Sequence, residues 1–232
     1  MPVLKRLLRP LRYRGRGVEC PCCGGRFRRF VVLPEYVETE RACYRCDSYA
    51  RHRLVWLYLI RETDLLSAPR RLLHVAPSEP MYGDRLRALP NLDYVSADLE
   101  APEAMEHWDI TAIPHPAGSF DAILCSHVLE HVCDDRRAIA ELHRVLRHGG
   151  WALIQSPVDP TREITYEEPV EDPLAVFGQA DHVRFYGRDY PDRLREAGFD
   201  VAVEHYVERF SAAERERYGL DPVEPIYLCT KP

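Results

Sequence analysis

Ser126-His127-Val128-Leu129-Glu130-His131 puts a hydroxyl, two imidazoles and a carboxylate into six consecutive residues. Imidazoles and carboxylates are the side chains that exchange protons near neutral pH. A second polar stretch runs from Gly178 to Gly187. There His182, Arg184 and Tyr186 alternate, so an extended chain points all three one way. His182 is the first candidate for a general base or a substrate-orienting group, with His127 and His131 as rivals. The alternative for His182 is to tie its own segment down. Glu130, Arg184 and Tyr186 are candidate substrate contacts.

The third reactive group is sulfur. Cys20-x2-Cys23 and Cys43-x2-Cys46 form two pairs separated by 19 residues. That spacing suits a four-cysteine zinc ribbon, each pair offering two thiolates on one side of a tight turn. Gly24 and Asp47-Ser48 are the turn formers. Such a closed site is structural, because it leaves no open position for water. Cys22 is a fifth thiol, and its adjacency to Cys23 makes joint ligation awkward; it stays a formal candidate. The alternative is a set of reduced thiols without metal. Residues Phe27 to Tyr36, rich in β-formers, supply the ribbon strands.

These residues need elements to hold them. Phe120-Asp121-Ala122-Ile123-Leu124-Cys125 is an apolar run suited to a strand buried on both faces, and it delivers Ser126 to His131 at its carboxyl end. Asp134 and Asp135 can start a helix. Ala138, Ile139, Leu142, Val145 and Leu146 follow as one apolar stripe. Gly149-Gly150 should end that helix as a left-handed cap, with Trp151 to Ile154 the next strand. Residues 71–76 and 92–98 read as two further buried strands, 191–198 as a short helix, and 199–207 and 225–230 as the last two strands. Residues 51–60 read as a helix, and its Arg51, His52 and Arg53 serve either the substrate pocket or packing. In an open α/β sheet, ligands bind beyond the carboxyl ends of the strands. Asp98 ends a strand about 20 residues after the first turn, where an acid accepts ribose hydroxyls.

The string FDAILCSHVLEHVCDDRRAIAELHRVLRHGGWALIQSP resembles the central block of class I S-adenosylmethionine (SAM)-dependent methyltransferases, in particular a bacterial, methyltransferase type 11-like subgroup with a cysteine-rich N-terminus. The resemblance runs over roughly residues 18 to 230. It implies an α/β fold: a Rossmann-like seven-stranded sheet with a small N-terminal zinc-ribbon module. The implied organisation is a basic segment at 1–17, the ribbon at 18–50 and the methyltransferase domain at 51–232, with an acceptor-binding lid at about 158–188.

The resemblance also implies a cofactor, SAM, beside a structural Zn2+. Its first loop usually reads D/E-x-G-x-G; here His74, Ala76 and Ser78 stand at the acidic and glycine positions. SAM has no pyrophosphate to cradle, so small residues suffice, and Pro77 fixes the turn. His74, Ala76, Pro77 and Glu79 are then cofactor contacts, with Glu79 at the amino group. The alternative for His74 is a hydrogen-bonded histidine at a strand end. Asp98 with neighbouring Leu99 takes the ribose. Trp108-Asp109-Ile110 resembles the segment that holds adenine, although Asp109 would equally cap a turn before Thr111. Ser126 and His127 complete the cofactor set. Similar "EH" turns hold a divalent ion in some quinone-pathway O-methyltransferases, which makes Glu130 and His131 formal ligands. The first reading of function is transfer of a methyl group to an O or N atom of a small metabolite, in a biosynthetic pathway. The second is an RNA or protein methyltransferase gripped through its basic ribbon. The third is a binding or scaffold protein with a silent methyltransferase fold, for which the altered first loop speaks.

Charge and length bound these readings. The chain has 232 residues, enough for one large domain or a domain with a small module. Its net charge is −6, but residues 1–61 carry 14 Lys/Arg against 5 Asp/Glu, and the rest carries 17 against 32. A nucleic-acid partner for the basic end is one reading of that asymmetry, and a basic segment folded onto acidic surface is the other. No run of about 20 apolar residues predicts a membrane span. The N-terminal MPVLKRLLRPLRYRGRG lacks a signal-peptide pattern, so the expected location is cytoplasmic.

Overall fold

The structure is a computed structural model that describes residues 13–32, 41–77, 80–167, 169–177, 179–220 and 225–232, with only the backbone described at 80–82. The chain divides into two compact units. One comprises Met1–Ser67, Glu79–Ala88 and His205–Pro225, and the other Ala68–Ser78, Leu89–Glu204 and Ile226–Pro232.

In the first unit, β1 (Arg14–Glu19) pairs antiparallel with β2 (Arg26–Phe27), and β3 (Val31–Val32) with β4 (Arg41–Ala42). The cysteine knuckles sit at the turns after β1 and β4. Helix α1 (Ala50–Glu62) buries Leu54, Trp56, Leu57, Tyr58 and Leu59, which is burial almost all round its axis. Its start is satisfied by a histidine, because the Tyr49 amide donates to His52 Nδ1 at 3.2 Å. Arg53 is fully buried. Its guanidinium donates to the carbonyls of Tyr218 at 2.7 Å, Gly219 at 2.6 Å, Arg41 at 2.8 Å and Ser48, over the Phe30 ring. A buried charge needs such complete hydrogen bonding, so Arg53 takes the packing role. Arg85 of α2 (Pro80–Arg87) covers the Trp56 ring at 4.3 Å.

The second unit is built on a seven-stranded sheet. Its strands are β5 (Arg70–Val75), β6 (Leu92–Asp98), β7 (Glu106–His107), β8 (Phe120–Ser126), β9 (Leu146–Gln155), β10 (Asp200–Glu204) and β11 (Ile226–Thr230). Their order is β10-β11-β9-β8-β5-β6-β7. Only β11 runs against its neighbours β9 and β10. This is the mixed Rossmann-like sheet expected. Leu73, Val95, Ile123 and Ile154 from the strands join Ile139 and Leu142 of α3 (Asp135–Val145) in one core. Each such side chain, fully buried, contributes about 1.5–3 kcal/mol. Asp134 caps α3, accepting the Arg137 amide at 3.0 Å.

Two boundaries differ from expectation. The strand read over 199–207 ends at Glu204, and a 3-10 turn follows at Tyr206–Arg209 before α4 (Ala212–Tyr218), a helix opened by a Ser211/Glu214 capping box. The glycine pair does not end α3 either. Leu146 already has extended geometry, and the Lys231 ammonium donates to the carbonyls of His143 at 2.8 Å and Leu146 at 2.9 Å. A cation there satisfies the helix's free carbonyls. Gly149 is left-handed (φ 71°) inside a bulge of β9, where pairing with β8 slips between Phe120 and Ala122. Among the described residues, no helix is long and apolar enough to cross a membrane.

Candidate cofactor and acceptor site

Sheet register decides which sequence candidates meet. Val75 pairs with Ala97 on β6 and with Cys125 on β8. The next residue on each strand is therefore Ala76, Asp98 and Ser126, three cofactor candidates level at one carboxyl edge. Ala76 is held left-handed (φ 44°), its amide donating to Ala97 O at 2.7 Å. His127 repeats that conformation (φ 55°), its amide donating to Gln155 O at 2.8 Å. Few L-residues accept a positive φ, and such strain gathers at functional loops. Here it turns the backbone sharply off both strand ends, the task a glycine performs elsewhere. Pro77 follows, half-buried.

Asp98 Oδ1 accepts the Glu100 and Ala101 amides, each at 2.8 Å. That turn fixes the carboxylate at the strand end with Oδ2 unengaged among the described residues. Leu99 beside it is exposed (64%). Asp109 is exposed and caps the 3-10 turn Ile110–Ala112, accepting the Thr111 amide at 2.8 Å. That bond holds its carboxyl below the usual carboxylate range. Ile110 is buried in the sheet core. His74 is buried, with Nδ1 3.0 Å from the Tyr94 hydroxyl of β6; it takes the alternative role named for it. Glu79 lies outside the described residues.

The acceptor candidates gather on the turn after β8. Glu130 is buried, and its carboxylate touches His127 Nδ1 at 3.2 Å and accepts the Ser156 hydroxyl at 3.0 Å. Burial pushes its carboxyl up, but the His127 hydrogen bond and nearby imidazoles outweigh that and hold it below the ordinary range. His131 stands edge-on to His182, ring centres 4.7 Å apart, with its Nδ1 3.2 Å from Asp181. His182 is buried, and its pKa is lowered, first by burial and then by the neighbouring His131, against Glu130 and Asp181. A histidine kept neutral near pH 7 can accept a proton.

Arg184 and Tyr186 are both engaged inside the protein, and Arg184 also lines the cleft beside this segment. Arg184 is buried and donates to the carbonyls of Leu129 at 2.6 Å, Cys133 at 2.8 Å and Val132. Tyr186 is fully buried and donates to Asp135 at 2.7 Å. Both therefore clamp the 158–188 segment onto the turn, and Val183 adds an amide bond to Glu130 O at 2.9 Å. Asp135, read from sequence as a helix starter, is the buried anchor, since Arg193 also donates to it at 3.0 Å. Ser156 and Asp181 were missed as well. Each sits beside a residue that was noticed, but nothing local says whom it faces. A cleft of about 460 Å³ opens against this segment, lined by Cys133, Glu167, Val170, Phe177, His182 and Arg184.

In the first unit, the Sγ atoms of Cys20, Cys23, Cys43 and Cys46 all lie within 4.8 Å of one another. Cys20 and Cys46 are 3.6 Å apart, and Cys23 and Cys43 3.8 Å. The two knuckles repeat one geometry: Gly24 donates to Cys20 O at 2.8 Å and Asp47 to Cys43 O at 2.9 Å, both with positive φ. Cys22 points away, 3.7 Å from His52 O.

Residues 66–154 match the Methyltransferase domain family. The fold is that of class I methyltransferases. The match spans β5 to β9, so the edge carrying Ala76, Asp98 and Ser126 lies inside it. A Mycolicibacterium smegmatis protein described as a "Probable S-adenosylmethionine-dependent methyltransferase" is 27% identical over 164 residues, covering 66% of this chain. The aligned stretch spans only 59% of that relative's length. Among solved structures, a SAM-dependent methyltransferase from Archaeoglobus fulgidus superposes with a TM-score of 0.52 at 13% identity, over 77% of this chain and 93% of its own. The [4+2]-cyclase SpnF superposes at 0.54 and 18% identity, over 99% and 94%. A neighbour described as a cyclase shows that this fold alone does not fix the reaction.

Proposed function

We propose that this protein binds SAM at the edge formed by Ala76, Asp98 and Ser126 and transfers its methyl group to an oxygen or nitrogen of a small molecule held under the 158–188 segment. The observation that carries the reading is the common register of those three residues inside the matched methyltransferase stretch. A carboxylate can accept both hydroxyls of a ribose, and Asp98 is fixed by its own turn to offer one oxygen outward. Asp109 and Ile110 take the adenine. SAM supplies the electrophilic methyl. The chain's part is to align the acceptor for in-line attack and to exclude water. His182 takes the acceptor's proton as the new bond forms. The small-molecule reading rests on the 460 Å³ cleft, which falls within the usual size of metabolite pockets, about 300–1,000 Å³.

We infer further that Cys20, Cys23, Cys43 and Cys46 hold a structural Zn2+. A tetrahedron of Zn–S bonds of about 2.3 Å spaces its sulfurs by about 3.8 Å, and the two measured pairs stand at 3.6 and 3.8 Å. Four thiolates leave no open position, so this metal contributes folding energy and not chemistry.

The activity is tested by incubating the chain with SAM and fractionated small-molecule extracts, and following S-adenosylhomocysteine. The reading expects extract-dependent product that His182→Gln lowers about 10²-fold or more while SAM binding persists. Turnover only with added RNA or protein would overturn the small-molecule reading.

A further inference from the structure

The cleft against the 158–188 segment is apolar at Pro169, Val170, Pro173, Phe177 and Val183 and polar at Glu167, His182 and Arg184. Cys133 adds a thiol, a weak hydrogen-bonding group. We propose, on the basis of the methyl transfer just described, that the acceptor is a phenol, with its ring on the apolar lining and its hydroxyl at the free ring nitrogen of His182.

The polar lining is largely spent on itself. Arg184 gives its terminal nitrogens to the carbonyls of Leu129, Val132 and Cys133, and its Nε faces Glu167 at 3.4 Å. Both Glu167 oxygens accept from Arg193, at 2.8 and 3.0 Å. His182 is buried, and one of its ring nitrogens is bonded to the Phe177 backbone. The other is then the one strong acceptor without a partner among the described lining residues. A sugar, nucleotide or polyamine would bury several polar groups there unsatisfied, which is costly. An apolar body with a single polar group fits.

Proton chemistry selects that group. Imidazole ordinarily titrates near about 6.5, and burial holds His182 lower. A phenol titrates near about 10, as tyrosine does, and an aliphatic hydroxyl near water, about 15.7. Transfer of the proton to His182 is therefore uphill by roughly 10³- to 10⁴-fold from a phenol and by roughly 10⁹-fold from an aliphatic hydroxyl. A primary amine is a cation near neutral pH, and the carboxylate in the lining is already paired, so burial there is costly. A phenol ring can instead pack on Phe177. In the reaction the O–H proton goes to His182, the oxygen's electron pair forms the O–CH3 bond, and the S–CH3 bond of SAM breaks with its pair left on sulfur. An aryl methyl ether, S-adenosylhomocysteine and an imidazolium result, and the imidazolium passes its proton to solvent.

The test is a matched panel of naphthol, naphthalenemethanol and naphthylmethylamine, assayed with SAM and the zinc-loaded full chain, with binding of SAM and of naphthol each measured by calorimetry. The proposal expects methylation of naphthol on oxygen, with kcat/KM at least about 10²-fold above either counterpart. His182→Gln should lower transfer to naphthol about 10²-fold or more, but transfer to nitrophenol, which ionises without a base near about pH 8, by less than about 10-fold. Val170→Asp, at a half-buried residue, should weaken naphthol binding about 10-fold or more while SAM binding persists. Faster transfer to the alcohol or the amine overturns the proposal and keeps methyl transfer. So does a chain that binds SAM but neither binds nor methylates either phenol. A chain that binds naphthol but not SAM overturns the methyl-transfer reading, and the phenol acceptor with it.

Discussion

The Tyr186 hydroxyl donates to Asp135 Oδ2 at 2.7 Å, between residues 51 positions apart, both buried. Arg193 shares the same oxygen at 3.0 Å, and Arg184 stands 3.6 Å away. Asp135 and Glu167, which reaches Arg193 at 2.8 Å and Arg184 at 3.4 Å, thus share the charges that hold the 158–188 segment down. Asp135→Ala should cost about 1–3 kcal/mol, because it leaves the buried Tyr186 hydroxyl without its acceptor while Glu167 still pairs with both guanidinium groups. Urea denaturation measures it. A loss under about 0.5 kcal/mol, the size of a surface substitution, would contradict the clamp.

Ala76 pays for its left-handed backbone with steric strain of roughly 1–2 kcal/mol. Glycine removes the strain but returns up to about 1 kcal/mol through a freer unfolded chain. Ala76→Gly should therefore raise stability by roughly 0.5–1 kcal/mol and leave SAM affinity within about two-fold, given that loss of one methyl changes little at a backbone contact. Thermal unfolding and calorimetry of the variant check both halves.

Cys23→Ser removes one of four sulfurs. Bound zinc, counted by mass spectrometry of the metal, should fall away, and residues of the first unit should become sensitive to protease while the sheet unit stays protected. Cys22→Ser should keep the metal, since Cys22 faces His52 O and not the cluster. Zinc lost from Cys22→Ser and retained in Cys23→Ser would reverse the ligand assignment.

Acid should weaken the fold in two stages. His182 and Glu130 both have folded pKa values below their ordinary ones, so the unfolded chain binds their protons first. Their contribution is complete above the ordinary value and is lost as pH falls. For His182 the loss starts near about pH 6.5, and for Glu130 near about pH 4.3. His143, lowered by burial and by Lys231, adds the same sign as His182. Unfolding midpoints of the wild type and His182→Gln should therefore diverge below about pH 6.5, the wild type falling more steeply. Parallel curves would show that His182 titrates normally.

Local pattern carried much of this molecule. The apolar runs that became β5, β6 and β8 state their burial in residue type, and the stripe from Ala138 to Leu146 states the buried face of α3. Two Cys-x2-Cys pairs name each other by spacing. What stayed hidden depends on partners distant in sequence. Gly149 looks like a helix cap until Lys231 is seen capping α3 instead. Alternation does not show that Tyr186 spends its hydroxyl on Asp135, nor that Arg184 bonds the carbonyls of Leu129 and Cys133 while it lines the cleft. His74 and Tyr94 meet only because β5 and β6 pair. Alternation along a strand says which residues share a face, and not which face meets substrate.

The most direct test of the account is titration calorimetry of the zinc-loaded protein with SAM and with S-adenosylhomocysteine, beside Asp98→Ala. The account predicts micromolar binding of both ligands by the wild type and at least about a ten-fold loss in the variant, as removal of a charged hydrogen-bond acceptor requires. No binding to either ligand would contradict it and leave a methyltransferase fold without a cofactor.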